Sequence, residues 1–316
     1  MSKHDPSLKL YCTDLLNGAN EIPDCSVDLV VTSPPYKRED GWSLALMQAL
    51  AVVLDRVMKP SSRLFFNFGQ LREDYSRAYA SRDAVACSGL VPGQTIAWIK
   101  SVALPSWRAG ALELAKEIWE TARKPAFIPA ARHLEVMRKL GELKRYLEGP
   151  GDVLQQGHYQ AINSKSPTLN YCWEPIFTFV KPPEGKLDRL SIGCPFADKS
   201  NMKRGTRGKH GDVHCIGDTW FVPYETTGAK KKKASAETKH AYAFPEELVE
   251  RAIKVSGIAK GSTVYDPCMG SGTVAVVGKR LGMNVVGTDV DRQALKITRA
   301  RWGAEVGNGK ACGVDM

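Results

Sequence analysis

The 316-residue sequence predicts an α/β fold in which helices cover a mostly parallel sheet. Two observations support this class. Short apolar runs typical of buried strands alternate along the chain with stretches of helical periodicity. Near the C-terminus, residues 262–289 read as strand, glycine-rich turn, helix and strand, which is the order of a βαβ unit in a parallel sheet.

Apolar runs rich in Val, Leu, Ile and Phe predict the strands. They lie at residues 8–12, 27–31, 64–68, 96–99, 176–180, 262–266 and 284–289.

Spacings of three and four between apolar residues predict the helices. Residues 42–58 carry Leu46, Leu50, Leu54 and Val57 at this spacing, and Pro60 is expected to end that helix. The leucine stripe of residues 132–147 is interpreted as part of the core or as a contact with a partner helix. The partner helix can belong to a second copy of the chain, which would make the stripe a homodimer surface. Further helices are predicted at residues 112–122, 274–281 and 295–302, and one opens at residues 244–248.

The tetrapeptide Ser33-Pro34-Pro35-Tyr36 follows the strand at residues 27–31. Two prolines end a strand, because proline donates no ladder hydrogen bond, and they fix the backbone around Ser33. A hydroxyl beside a carbonyl can accept both hydrogens of an amino group, and an aromatic ring can stack on a planar heterocycle. These four residues are therefore the predicted catalytic site for methylation of an exocyclic amine. An ordinary strand-terminating turn is the alternative.

The glycine-rich turn of residues 266–273 lies between two predicted strands, the second of which ends at Asp289. In such units glycines let the backbone approach an adenosine moiety, and the acid binds the ribose hydroxyls. A phosphate loop is the alternative, but no Gly-Lys-Ser/Thr follows the glycines, and Lys279 comes a turn too late.

These two motifs, in this order, resemble the permuted (beta) class of DNA amino-methyltransferases, which use S-adenosylmethionine. Residues 10–14, 64–69, 169–176 and 239–245 extend the resemblance, whereas Cys268 replaces the usual Phe and Ala241 the usual Pro. The resemblance implies a Rossmann-like methyltransferase fold with a circularly permuted, mostly parallel sheet and an inserted target-recognition region. The N-terminal strand is then expected to lie beside the strand that ends at Asp289.

The resemblance also implies a division of the chain and a set of cofactor residues. The catalytic part covers residues 1–101, a helical lobe 102–156, a return to the sheet 157–181, basic target-recognition loops 182–236 and the cofactor-binding part 237–316. For Asp14, helix capping is the alternative. The predicted cofactor-binding residues are Asp14, Phe244, Asp266, Pro267, Cys268, Gly270, Ser271, Gly272, Thr273 and Asp289.

The formal charge of +10 favours a polyanionic partner, because basic side chains that neutralise phosphates release counterions. Basic residues cluster in the loops at residues 199–209 and again at residues 230–233. Solvated loops without a ligand are the alternative. The predicted contacts with duplex DNA are Lys199, Lys203, Arg204, Arg207 and Lys209.

Neither a membrane span of roughly 20 apolar residues nor the apolar core of a signal peptide is present, so a cytoplasmic protein without membrane contact is expected. Eight cysteines without a Cys-x-x-Cys pair indicate reduced thiols. His210, His214 and Cys215 form the tightest cluster of metal-ligating residue types, but no metal site is predicted, because no partner pair lies at ligand spacing.

The predicted activity is methyl transfer to the amino nitrogen of a flipped base in duplex DNA. Cytosine-N4 is favoured over adenine-N6, because a tetrapeptide that begins with Ser resembles the cytosine-N4 enzymes more than the adenine-N6 ones. The alternatives are cytosine-C5 methylation, RNA or protein amide methylation, and DNA binding without catalysis. A partner restriction endonuclease is a further expectation.

Overall fold

The computed structural model describes residues 5–35, 43–69, 74, 76–100, 173–195, 213–222 and 245–304. The chain divides into two compact units, Met1–Ile99 with Trp173–Met316, and Lys100–Cys172. Apart from Lys100, every described residue belongs to the first unit. The predicted helices at residues 112–122 and 132–147 and the five predicted DNA contacts lie outside the described residues.

Strands alternate with helices along most of the described chain. The strands are β1 (Leu8–Cys12), β2 (Val27–Thr32), β3 (Met58–Asn67), β4 (Val91–Ile99), β5 (Trp173–Val180), β6 (Cys194–Pro195), β7 (Val213–His214), β8 (Thr219–Phe221), β9 (Thr263–Asp266) and β10 (Asn284–Asp289). The helices are α1 (Leu15–Asn20), α2 (Leu44–Val57), α3 (Arg77–Ala86), α4 (Glu246–Ser256), α5 (Thr273–Arg280) and α6 (Arg292–Ala304).

Eight of these strands form one sheet in the order β1-β10-β9-β2-β3-β5-β4-β8, while β6 pairs with β7. Within the eight-stranded sheet, β5 is antiparallel to β3 and β4, and the other neighbouring pairs are parallel. The predicted α/β class with a mostly parallel sheet is therefore confirmed.

The first and last strands of the sequence are neighbours in the sheet. Strand β1 pairs in parallel with β10, from Leu8 beside Val285 to Cys12 beside Asp289. This confirms that the N-terminus supplies the strand next to the C-terminal unit, as circular permutation requires.

Apolar side chains cover both faces of the sheet. In β2, Leu29 and Val31 belong to the core beneath α4 and α5, whereas Val30 belongs to the core beneath α2 and α3. This alternation follows from the period of two along a strand, and burial on both faces explains the continuous apolar runs of the sequence. None of the described helices is long and apolar enough to cross a membrane.

The prediction that Pro60 ends the second helix was wrong. Helix α2 ends at Val57, and Pro60 lies near the start of β3. The pairing with β2 shifts between Val27 beside Met58 and Leu29 beside Arg63, so Pro60 falls in an irregular stretch of the ladder. A missing N–H is tolerated in such a bulge, which is why the strand can include a proline.

Candidate active site

The carboxyl ends of the central strands meet at one edge of the sheet. The parallel strands β1, β10, β9, β2 and β3 end there at Cys12, Asp289, Asp266, Thr32 and Asn67. Strand β5 runs in the opposite direction, so its first residues, including Glu174, lie beside Asn67. Polar side chains from distant parts of the sequence are thereby collected where open parallel sheets bind ligands.

Three of the four predicted catalytic residues lie at this edge, immediately after β2. Ser33 is half-buried, Pro34 is buried and Pro35 is exposed, whereas Tyr36 lies outside the described residues. The Ser33 hydroxyl donates a hydrogen bond to Asn67 Oδ1 over 3.2 Å. Its oxygen lone pairs can therefore accept from another group.

The direction of that hydrogen bond follows from the surroundings of Asn67. Its Nδ2 lies 3.4 Å from Glu174 Oε2 and 3.3 Å from the Pro175 carbonyl oxygen. The Pro175 carbonyl can only accept a hydrogen bond, so the amide nitrogen faces it and the amide oxygen faces Ser33.

Asn67 and Glu174 were not predicted as site residues. Both are buried, with 4% and 9% of their surface exposed. The signal that could have found them is a polar residue inside an apolar strand, since buried polar groups need partners.

The glycine turn lies at the end of β9. Gly270 and Gly272 have φ values of 51° and 82°, which glycine adopts without strain. A side chain at Gly270 would meet no atom closer than 3.9 Å, so the backbone borders open space there. A side chain at Gly272 would lie 2.6 Å from Thr298 of α6. The close approach of α6 therefore requires a glycine at this position of the turn.

Asp289 holds this turn from the end of β10. Its Oδ2 accepts the Gly270 N–H over 2.7 Å, and its Oδ1 accepts the Asp291 N–H over 2.8 Å. A carboxylate offers about four lone-pair sites, so these two bonds leave it able to accept from hydroxyl groups as well.

Asp266 links the turn to β2. Its Oδ1 accepts hydrogen bonds from Thr32 Oγ1 over 2.8 Å and from the Cys268 N–H over 2.9 Å. Thr32 directly precedes Ser33, so one carboxyl group joins the two sequence motifs. Burial raises the pKa of Asp266 to about 7.

This raised pKa predicts a pH-dependent stability. A folded pKa of about 7 against an ordinary 3.8 means that the folded state binds the proton more tightly, so the contribution to stability falls as pH rises from about 4 to about 7. Asp266→Asn removes this pH-dependent contribution, because asparagine does not titrate. Between pH 4.5 and 7.5, the free energy of unfolding should fall by roughly 1 to 3 kcal/mol more in the wild type than in the variant. Denaturant titrations at both pH values measure it, and parallel changes would contradict the expectation.

The remaining predicted cofactor residues are distributed around the same edge. Pro267, Ser271 and Thr273 are buried in or beside the turn, and Phe244 lies outside the described residues. Asp14 is exposed and caps α1, accepting from the Leu16 and Asn17 N–H groups over 3.0 Å. These hydrogen bonds, led by that from Asn17, lower the pKa of Asp14.

No three His, Cys, Asp or Glu side chains within the described ranges lie close enough to hold a metal ion. His210, part of the cluster noted in the sequence, lies outside those ranges, and the His214 Nδ1 atom is 3.2 Å from the Cys215 carbonyl oxygen.

An apolar pocket opens beside β2, beneath α4. Phe65 and Trp220 stack there with ring centroids 6.4 Å apart. The pocket holds about 260 Å³ of unoccupied space, including space open to solvent. Its lining residues are Val31, Thr32, Phe65, Asn67, Ile176, Trp220, Leu248 and Ala252.

A mostly parallel sheet with a glycine turn after one strand and Ser-Pro-Pro after its neighbour defines the class of Rossmann-like methyltransferase folds. Residues 27–300 match the N6/N4 family model described as DNA methylase. The chain belongs to this DNA methylase family.

Individual type II methyltransferases are also similar to this chain. The type II methyltransferase M.BglII of Bacillus subtilis is 25% identical over 307 residues, covering 92% of this chain and 67% of that protein. Two other type II methyltransferases align over 80 and 111 residues, which are 30% and 36% of their own length. The chain thus spans less than half the length of these two relatives.

Two solved structures share the fold. The cytosine-N4-specific PvuII DNA methyltransferase superimposes with a TM-score of 0.60 at 13% identity, covering 97% of this chain and 89% of that one. A candidate DNA modification methylase of Thermus thermophilus, solved with S-adenosyl-L-methionine, gives a TM-score of 0.53 at 17% identity and covers 95% of each chain.

Proposed function

We propose that this DNA methylase transfers the methyl group of S-adenosylmethionine to the exocyclic amino nitrogen of a base flipped out of duplex DNA, with cytosine-N4 as the target. The observation that carries the proposal is the arrangement of Ser33. Its hydroxyl lies at the carboxyl edge of the sheet, donates to Asn67, and is one residue from Thr32, which contacts the acid of the glycine turn. An acceptor for an amine is thereby held next to a candidate cofactor turn.

The residues of the turn fit the proposed cofactor. The space beside Gly270 lets a ligand approach the backbone, and the half-buried Asp289 carboxylate keeps acceptor sites for ribose hydroxyls. Asp14, Phe244 and the turn residues 266–273 would complete the site. When bound, S-adenosylmethionine supplies an electrophilic methyl group on a sulfonium.

In this mechanism the protein orients the amine. Ser33 Oγ and the Pro34 carbonyl oxygen accept the two amino hydrogens, which fixes the direction of the nitrogen lone pair. Pro34 and Pro35 hold these acceptors rigidly, because both rings lock their φ angles. Direct attack would need no covalent intermediate, because the bond from sulfur to the methyl carbon would break as the bond to nitrogen forms. S-adenosylhomocysteine would leave and the methylated amine would lose one proton to solvent, so positioning and electrostatics would supply the acceleration.

Tyr36 stacks on the flipped base in this proposal. An amino group inside a duplex is hidden by pairing and stacking, so the base must leave the helix before it can reach Ser33. Aromatic stacking offsets part of that cost.

The choice of base rests on the first residue of the tetrapeptide. Ser33 offers one hydroxyl, where adenine-N6 enzymes more often carry Asp or Asn, and the Pro34 carbonyl supplies the second acceptor. Adenine-N6 is the alternative, since both amines present two hydrogens.

Cytosine-C5 methylation is disfavoured by the surroundings of Cys268. That reaction needs a thiolate nucleophile, and the only Pro-Cys pair in the sequence is Pro267-Cys268 inside the glycine turn. Burial and the neighbouring Asp266 raise the pKa of the Cys268 thiol well above its ordinary value, which favours the unreactive thiol. RNA or protein amide methylation and DNA binding without catalysis are the remaining candidate functions.

Neutralising Lys203, Arg204 and Arg207 to glutamine should lower DNA affinity and flatten its salt dependence. Removing one phosphate contact reduces the log-log slope by about 0.9. Titrations at several salt concentrations measure the slope. Lys254→Gln with Lys260→Gln is the control, because these exposed residues precede β9, at the opposite edge of the sheet from the site. An unaltered slope in the triple variant would contradict this expectation and would indicate that these loops are solvated and do not contact phosphates.

Single-molecule sequencing of DNA from cells that express the protein tests the proposed activity and identifies the recognition site. Bases modified at their amino group should recur at one sequence, and they should be much rarer in cells that express Ser33→Ala. Unmodified DNA in both would contradict the proposal. A homodimer, a partner endonuclease and a cytoplasmic location stay predictions.

A further inference from the structure

The C-terminal helix α6 holds the backbone of the glycine turn through two side chains. Thr298 Oγ1 donates to the Gly270 carbonyl over 2.8 Å, and Arg301 Nη1 donates to the Ser271 carbonyl over 2.8 Å. Residues three apart lie on the same helix face, so both can reach the same turn. The close approach of Thr298 to Gly272 keeps helix and turn in direct contact.

Arg301 also reaches a second part of the chain. Its Nη2 donates to Glu246 Oε1 over 3.1 Å, and Glu246 is the first residue of α4, directly after Phe244-Pro245. One guanidinium therefore connects the glycine turn to the stretch that contains the predicted cofactor residue Phe244. Arginine suits this place, because its planar fork can donate in two directions at once.

A second arginine provides a natural comparison. Arg280, the last residue of α5, donates to the other oxygen of Glu246 over 2.7 Å. Arg280 and Arg301 have comparable exposure, with 41% and 31% of their side-chain surface accessible. Both pair with Glu246, and in the part of the chain that the structure describes the Ser271 carbonyl accepts from Arg301.

We propose that Arg301 is a positioning residue for cofactor binding, which keeps the glycine turn and the start of α4 in the relative position that S-adenosylmethionine requires. This inference rests on the proposed function. A trans peptide directs its carbonyl and its N–H to opposite sides. By fixing the Gly270 and Ser271 carbonyls toward α6, Thr298 and Arg301 set where the other side of these peptides points.

The test compares Arg301→Met with Arg280→Met, each of which removes one positive charge and one contact with Glu246. Calorimetry with S-adenosylmethionine should show affinity about tenfold weaker for Arg301→Met and within about twofold of wild type for Arg280→Met, as the removal of a charge-assisted hydrogen bond implies. Arg301→Met also loses the Ser271 contact and should have the lower Tm of the two variants. Their DNA affinities should stay equal, which a general disruption of the fold by Arg301→Met would not produce.

Arg301→Lys keeps the charge but replaces the fork by a single ammonium, and it should also weaken cofactor binding several-fold. It serves as the test if Arg301→Met does not fold. Equal cofactor affinities for the Arg301 and Arg280 variants would overturn the inference and leave the proposed function standing. Wild-type protein that does not bind S-adenosylmethionine would overturn both.

Discussion

Ser33→Ala should lower the rate of methyl transfer about 100-fold, the effect of removing one positioned polar group from an active site. Alanine keeps the backbone of the strand end but removes the acceptor that orients the amine. Affinities for S-adenosylmethionine and DNA should change by less than about twofold, because the hydrogen bond that the structure describes for this hydroxyl goes to Asn67 of β3. Single-turnover kinetics and separate binding titrations measure these quantities.

Asn67→Leu tests whether the hydrogen bond from Ser33 to Asn67 orients the Ser33 hydroxyl. Leucine has a similar volume but cannot accept the Ser33 hydrogen, so the hydroxyl loses its fixed direction, and turnover should fall about tenfold. In the Ser33→Ala background the same change should have little further effect, because residues that act as a unit are not additive. Multiplicative losses in the double variant would show that Asn67 does not act through Ser33.

Asp289→Ala should weaken binding of S-adenosylmethionine by about 30-fold or more while DNA binding stays largely intact. Two effects combine in this loss. The ribose loses its predicted acceptor, and the Gly270 N–H loses the charge-assisted hydrogen bond that fixes the turn. Calorimetry measures the cofactor affinity, and fluorescence anisotropy with labelled duplex measures the DNA affinity.

Asp291→Ala is the control for Asp289→Ala. Asp291 lies two residues further on, where its carboxylate accepts the Gln293 N–H at the start of α6. Cofactor affinity in this variant should stay within about threefold of wild type. Unchanged affinity in Asp289→Ala would remove Asp289 from the cofactor site.

The sequence could predict those parts of the fold that depend on local pattern. Strands β1 and β10 have the predicted bounds, although β1 is an edge strand whose residues are half-buried or exposed. Helix α3 was missed, because its sequence combines Arg77, Tyr79, Ser81 and Arg82 with alanines and carries little apolar periodicity. Strands β3 and β4 begin earlier than predicted, since pairing with neighbours extends strands into polar residues.

The candidate site was predictable only where a motif is continuous in sequence. Ser33 and the glycine turn were found from their own neighbours. The Asn67–Glu174 contact joins residues 107 positions apart, and Arg301 reaches Ser271 across 30 positions. Side-chain contacts between distant elements depend on the order of the strands in the sheet, which cannot be deduced from the local pattern of a single sequence.

Transfer of a labelled methyl group from S-adenosylmethionine to duplex DNA, followed by mass spectrometry of the digested nucleosides, tests the central claim most directly. The account predicts label in N4-methylcytosine and its loss with Ser33→Ala. Label in N6-methyladenine would correct the choice of base but keep the amino acceptor site. Label in 5-methylcytosine, or equal labelling by wild type and Ser33→Ala, would contradict the account.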